Sequence, residues 1–181
     1  MAYEFKREPL TPTEQDRLTN SCESFRERLL VYTLLDTGLR VSEVCKMKKD
    51  NIQWQQNTIV VWGKGKKRRV VPMSKRVKEL LQTAISTDLI TNDRSIKLGD
   101  RGGGSSKTAE RMVTEIAGRA KITKEVTPHV LRHTFAVRAL EAGVNLVALQ
   151  KILGHADLMT TKIYLNITNE DALDEYRRKV G

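Results

Sequence analysis

Thr58-Ile-Val-Val-Trp62, Gly63-Lys-Gly-Lys-Lys-Arg68 and Arg69-Val-Val-Pro-Met73 follow one another without a break. The two outer runs are rich in β-branched residues, and the glycine-assisted, basic segment between them reads as the tip of a hairpin. Pro72 has no amide to donate, so it marks the second strand as an edge or its end. Ile52 and Trp54 predict a third short strand just before the hairpin, and Trp62 reads most simply as core. Outward from this unit the patterns are helical in both directions. The expected fold is therefore mainly α with one small antiparallel β-sheet, an α+β architecture.

Upstream, Thr11-Pro12-Thr13-Glu14 combines an N-cap, a first-turn proline and a capping glutamate, leaving residues 1–10 as a lead-in arm. Phe25, Leu29, Tyr32 and Leu35, widened by Leu30 and Leu34, form the stripe of a core helix that Gly38 stops. Val41, Val44 and Cys45 extend a short helix directly after that stop, which places Arg40 and Glu43 one turn apart at the junction. Downstream, Ser74 caps a helix carrying Val77, Leu80, Leu81 and Ala84. Residues 86–106 are polar, end in Gly102-Gly-Gly-Ser-Ser106, and read as a loop before a helix with Ala109, Met112, Val113, Ile116 and Ala120 on one face. Thr127-Pro128 opens a helix that stops at Gly143, Asn145 caps one that stops at Gly154, and Asp157 caps one carrying Tyr164. A last helix is expected from Thr168, with Leu173, Tyr176 and Val180.

A chain of 181 residues reads as one domain, residues 1–181, able to bury a core without staples. Its 32 Lys+Arg against 22 Asp+Glu give a net charge of +10. An excess of this size points to a polyanionic partner, because clustered cations displace counterions condensed on a phosphate backbone. No run of 18 apolar residues is present and Met1 to Leu10 is too polar for a signal peptide, so a cytoplasmic protein with no membrane association is expected. Cys22 and Cys45 belong to no CxxC or Cys/His cluster, which argues for reduced thiols and against a zinc site. Gly102 to Thr108 imitates a phosphate-binding loop, but the pattern requires glycine where Arg101 and Ser106 stand, so nucleotide binding is set aside.

Chemistry-bearing residues are scattered along the chain yet suit one reaction: Arg40, Lys64, His129, Arg132, His155 and Tyr164. His129 and Arg132 stand three residues apart and share a helix face. Two guanidinium groups can bind the nonbridging oxygens of a phosphoryl transition state, while histidine and lysine transfer protons. A tyrosine phenol is a weak nucleophile that a cationic, partly dehydrated pocket activates. No acidic metal cluster is evident in the sequence.

Four segments carry a specific resemblance: Thr37-Gly-Leu-Arg-Val-Ser-Glu43, Gly63 to Pro72, Pro128-His-Val-Leu-Arg-His-Thr-Phe-Ala136, and Leu153-Gly-His-Ala-Asp-Leu-Met-Thr-Thr-Lys-Ile-Tyr164. In order, spacing and local structure they resemble the boxes of the tyrosine recombinase (phage integrase, Xer-like) family over residues 25–167. The resemblance implies that Tyr164 attacks a scissile DNA phosphate to give a 3′-phosphotyrosyl enzyme and a free 5′-hydroxyl, reversed on a partner strand. It implies that Arg40 and Arg132 bind the nonbridging oxygens, Lys64 protonates the leaving 5′ oxygen, His129 exchanges a proton with the tyrosine, and His155 hydrogen-bonds the phosphate. Energy is conserved in the phosphotyrosine, so the resemblance implies neither cofactor, ATP nor metal. Glu43 matches a position that orients the site, and His133 is read as structural support. Lys66, Lys67, Arg68 and Arg69 are read as DNA-backbone contacts.

The implied partners are double-stranded DNA and further copies of the chain, as a tetramer at paired sites, with accessory or host factors where direction is imposed. Family members usually carry an N-terminal core-binding domain that clamps the other face of DNA. Here about 24 residues precede the first core helix, so that domain is expected to be absent. The expected helix over 168–181 can cover its own core or pack in trans on a neighbouring protomer. Two rival readings are a type IB topoisomerase-like relaxing enzyme and a catalytically inactive DNA-binding regulator. The Leu153-Gly-His155 to Tyr164 segment opposes the first, and the intact set opposes the second.

Overall fold

A computed structural model describes residues 8–63, 68–93, 95–99 and 105–154. The expectations for Lys64, Lys66 and Lys67, for His155 and Tyr164, and for the last two helices lie outside the described residues. In chain order the elements are α1 (Pro12–Asn20), α2 (Phe25–Thr37), α3 (Val41–Cys45), β1 (Ile52–Gln53), β2 (Thr58–Trp62) and β3 (Arg68–Pro72). They continue with α4 (Lys75–Ser86), α5 (Ser106–Arg119), α6 (Pro128–Glu141) and α7 (Leu146–Leu153). The architecture is mainly helical with one three-stranded antiparallel sheet of order β1-β2-β3.

Helix α2 is the centre of the core. Leu29, Leu30, Val31 and Leu34 are fully buried, and α4, α5 and α6 all pack on the helix. Burial on nearly every side leaves it without a strong polar face, which is how a central helix differs from an amphipathic surface one. Ser24 opens α2 by accepting from the Glu27 amide at 3.2 Å, and Gly38 closes it in the left-handed conformation, φ 62°. A smaller cluster of Ala136, Leu149 and Leu153 joins α6 to α7, with Phe135, Ala139 and Leu140 against it.

Gly38 is where these two clusters meet. A Cβ at this position would lie 2.8 Å from Cε1 of Phe135 and 2.9 Å from a methyl of Leu153. Gly38→Ala therefore adds a left-handed backbone cost to overpacking, and the expected loss of stability is about 2–5 kcal/mol, read as a lower urea midpoint.

One sequence expectation changes. Trp62 is not core: it is 59% exposed. Ile59 and Val61 face the main core, which sends Val60 and Trp62 to the other side of the strand, where Val60 is covered and Trp62, at the strand's end, is not. The described parts of the 86–106 segment form a loop as expected, and it is anchored by Ile90, Ile96 and Leu98, all buried. Backbone bonds from Ile96 to the Met47 carbonyl, 3.1 Å, and from Lys97 to the Leu89 carbonyl, 3.0 Å, hold it in place. Among the described residues no helix is long and apolar enough to cross a membrane.

Candidate active site

The site is assembled around the C-terminal end of α7. A helix end leaves its last carbonyls without intrahelical donors, and the negative end of the helix dipole lies there, so cations are favoured. Three arginines from three elements use those carbonyls. Arg69, on β3, donates from Nε to the Ile152 carbonyl at 2.9 Å. Arg132, on α6, donates from Nη2 to the Leu153 carbonyl at 2.7 Å. Arg40, at the N-cap of α3, donates from Nη2 to the Gly154 carbonyl at 3.3 Å. Gly154 itself is left-handed, φ 66°, and terminates α7 as the sequence predicts.

Arg132 is the most deeply held of the three, 4% exposed. Its Nη1 donates to the Gly38 carbonyl, so one guanidinium ties the end of α2 to the end of α7. Arg40 is more open, with 43% of its side chain exposed. Its Nη1 reaches Glu43 Oε1 at 3.3 Å, and its backbone amide donates to Glu43 Oε2 at 2.7 Å. Glu43 thus holds both the main chain and the side chain of Arg40.

Arg69 differs from its sequence assignment. Instead of reaching toward solvent with Arg68, it turns inward and donates from Nη1 and Nη2 to both oxygens of Glu43, at 2.6 and 2.7 Å. Its side chain is 10% exposed. The register pairs Arg69 with the inward-facing Val61, whereas Arg68 pairs with Trp62 and is exposed. Counting alternate residues back from the buried Val71 finds this orientation in the sequence.

Burial pushes the Glu43 carboxyl up. The Arg69 hydrogen bonds, the Arg40 amide and the two guanidinium charges outweigh burial and hold it below the ordinary glutamate value. Glu43 therefore stays ionised at neutral pH. With three guanidinium groups gathered and this one carboxylate bonded among them, the described cluster carries an excess of positive charge suited to an oxyanion.

His129 lies in the first turn of α6, exposed, one turn before Arg132. Thr127 caps this helix and Pro128 opens it, which fixes the direction in which the pair is presented. His133, one residue after Arg132, is buried. Burial, reinforced by the charge of His129, lowers its pKa to about 4. Its neutral form is the folded form, so above pH 6.5 it contributes no pH dependence. As pH falls below 6.5 the unfolded chain takes the proton first, and folding stability is lost progressively down to about pH 4. The expected loss is about 3 kcal/mol. A series of urea midpoints over this range should slope downward in the parent and flatten between pH 6.5 and 4.5 in His133→Phe.

Fold and cluster together define a class, a mainly helical domain with three arginines gathered at a helix end. The chain belongs to the phage integrase family, whose family model matches residues 8–171. Tyrosine recombinase XerA of Thermococcus kodakarensis is 41% identical over 150 residues, covering 80% of this chain and 52% of the relative. Tyrosine recombinase XerD of Staphylococcus saprophyticus is 36% identical over 160 residues, covering 84% of this chain and 54% of the relative. The chain therefore spans about half the length of the curated relatives it matches. Among solved structures, the crystal structure of XerA recombinase superposes with a TM-score of 0.79 at 33% identity, covering 96% of this chain and 64% of that one. XerH site-specific recombinase bound to its difH substrate, in a pre-cleavage complex, superposes with a TM-score of 0.80 at 25% identity, covering 97% and 55%.

Proposed function

We propose that this chain is a site-specific recombinase catalytic domain that cuts and rejoins DNA through a 3′-phosphotyrosyl intermediate. The observation that carries the reading is the convergence of Arg40 and Arg132 at the end of α7, directly before the segment that ends in Tyr164. Arg40 and Arg132 stabilise the nonbridging oxygens as negative charge develops on them. The Tyr164 oxygen bonds to phosphorus, the bond to the 5′ oxygen breaks, His129 takes the phenolic proton, and Lys64 supplies a proton to the leaving oxygen. His155 hydrogen-bonds the phosphate. Rejoining runs the same steps backwards with another 5′-hydroxyl, so the phosphodiester energy is kept and neither a metal nor ATP enters.

Lys66, Lys67 and Arg68 serve as backbone contacts on double-stranded DNA, and the reaction takes place in the cytoplasm on a homotetramer that brings paired sites together. Residues 1–181 act as one catalytic unit, and the helix expected over 168–181 covers its own core or that of a neighbour. XerH, a structural relative, is described in complex with its difH DNA, which supports the DNA assignment.

Duplexes enriched by the protein from a randomised pool provide the test. After cleavage of such a duplex, a second strand ending in a free 5′-hydroxyl should be joined to the protein-held 3′ end, giving a recombinant strand on a sequencing gel. Relaxation of supercoiled plasmid without joining to a foreign strand would instead identify a relaxing enzyme.

A further inference from the structure

Arg69 sits among the site residues without a role in the chemistry just described. We infer that Arg69 is a positioning residue for strand cleavage: by occupying Glu43 it leaves Arg40 free to bind phosphate and fixes Arg40 against the end of α7. The inference rests on the recombinase reading.

Arg69 bonds both oxygens of Glu43 and the Ile152 carbonyl, which commits three of its donors. Two parallel bonds to one carboxylate form the strongest geometry available to an arginine. The neighbouring backbone is shaped to it, since a Cβ on Gly154 would lie 2.7 Å from Cδ of Arg69 and 3.0 Å from its Nε. Arg40, by contrast, holds Glu43 through one long side-chain contact of 3.3 Å and keeps 43% of its side chain exposed. Glu43 is itself 10% exposed, so its charge needs a partner. While Arg69 supplies that partner, the Arg40 guanidinium is only lightly engaged. Without Arg69, the carboxylate turns to Arg40, captures it in a bidentate pair and withdraws it from phosphate. Arg69 also ties β3 to α7, so its loss loosens the approach of the hairpin to the site.

This account predicts sign epistasis, which lost packing does not produce. In single-turnover cleavage of a phosphorothiolate duplex at saturating DNA, Arg69→Ala should slow the reaction about 100-fold. DNA affinity should stay within about threefold, because Arg69 is no phosphate contact. Adding Glu43→Gln to Arg69→Ala should restore at least about tenfold, since a neutral amide no longer sequesters Arg40. Arg69→Lys, which keeps the charge but not the fork, should fall between the parent and Arg69→Ala, and it carries the test where Arg69→Ala does not fold. Parental cleavage by Arg69→Ala or Arg69→Lys would overturn the inference. So would a loss confined to affinity, or a double variant slower than Arg69→Ala alone. Absence of any adduct from the parent would overturn the recombinase reading and this inference with it, whereas a normal adduct from both parent and variant would overturn this inference alone.

Discussion

Tyr164→Phe should abolish the covalent protein–DNA adduct while DNA binding stays within about twofold of the parent. The substitution keeps the ring and removes only the oxygen proposed to bond to phosphorus, so no weaker version of the same step remains. The loss of cleavage should be at least about 10⁴-fold. Binding is assigned to arginines and lysines that the substitution does not touch, and it should keep the steep decline with salt expected of phosphate contacts. The readout is a denaturing gel beside a gel-shift titration, and an adduct surviving in Tyr164→Phe would remove Tyr164 from the nucleophile position.

Arg132→Ala should have a double effect, on cleavage and on stability, and this separates it from Arg40→Ala. Arg132 is buried and joins the Gly38 and Leu153 carbonyls, so truncation leaves two helix-end acceptors without that donor and opens a void between α2, α6 and α7. The expected cost is about 2–4 kcal/mol in urea unfolding. Cleavage should fall about 10²–10³-fold even under conditions where the variant is fully folded, because a charge proposed to stabilise the oxyanion is gone. Arg40 is 43% exposed and weakly held, so Arg40→Ala should lose cleavage to a similar extent with a stability change within about 0.5 kcal/mol. A stable Arg132→Ala that cleaves normally would contradict both halves of this account.

The fold was legible because its punctuation is strong. Thr11, Ser74, Thr127 and Asn145 all cap helices, and Gly38 and Gly154 stop them in left-handed conformations. Each such signal depends on a local backbone rule, so one sequence suffices to read it. What escaped depends on which side of an element faces inward. Trp62 and Arg69 exchange their expected places, the aromatic ring outward and the cation inward, because strand alternation overrides residue type at the end of a short sheet. The anchoring of the described parts of the 86–106 loop by Ile90, Ile96 and Leu98 was similarly hidden, since three apolar residues in a polar stretch form no period.

At the site, the sequence indicated the cast of residues but not the staging. Arg40, Glu43, His129 and Arg132 follow from motif and spacing. The carbonyls of Ile152, Leu153 and Gly154, on which three guanidinium groups converge, carry no side-chain signature at all. Backbone acceptors at a helix end become visible only when the chain is folded. The same limit hid Arg69, whose neighbours Lys66, Lys67 and Arg68 make it look like one more phosphate contact.

The most direct measurement is adduct mapping on a phosphorothiolate duplex in EDTA, followed by proteolysis and mass spectrometry of the DNA-linked peptide. A 3′-linked adduct, formed without divalent metal, is expected on the peptide containing Tyr164. An adduct on another residue, or one that requires added metal, would contradict the proposed mechanism.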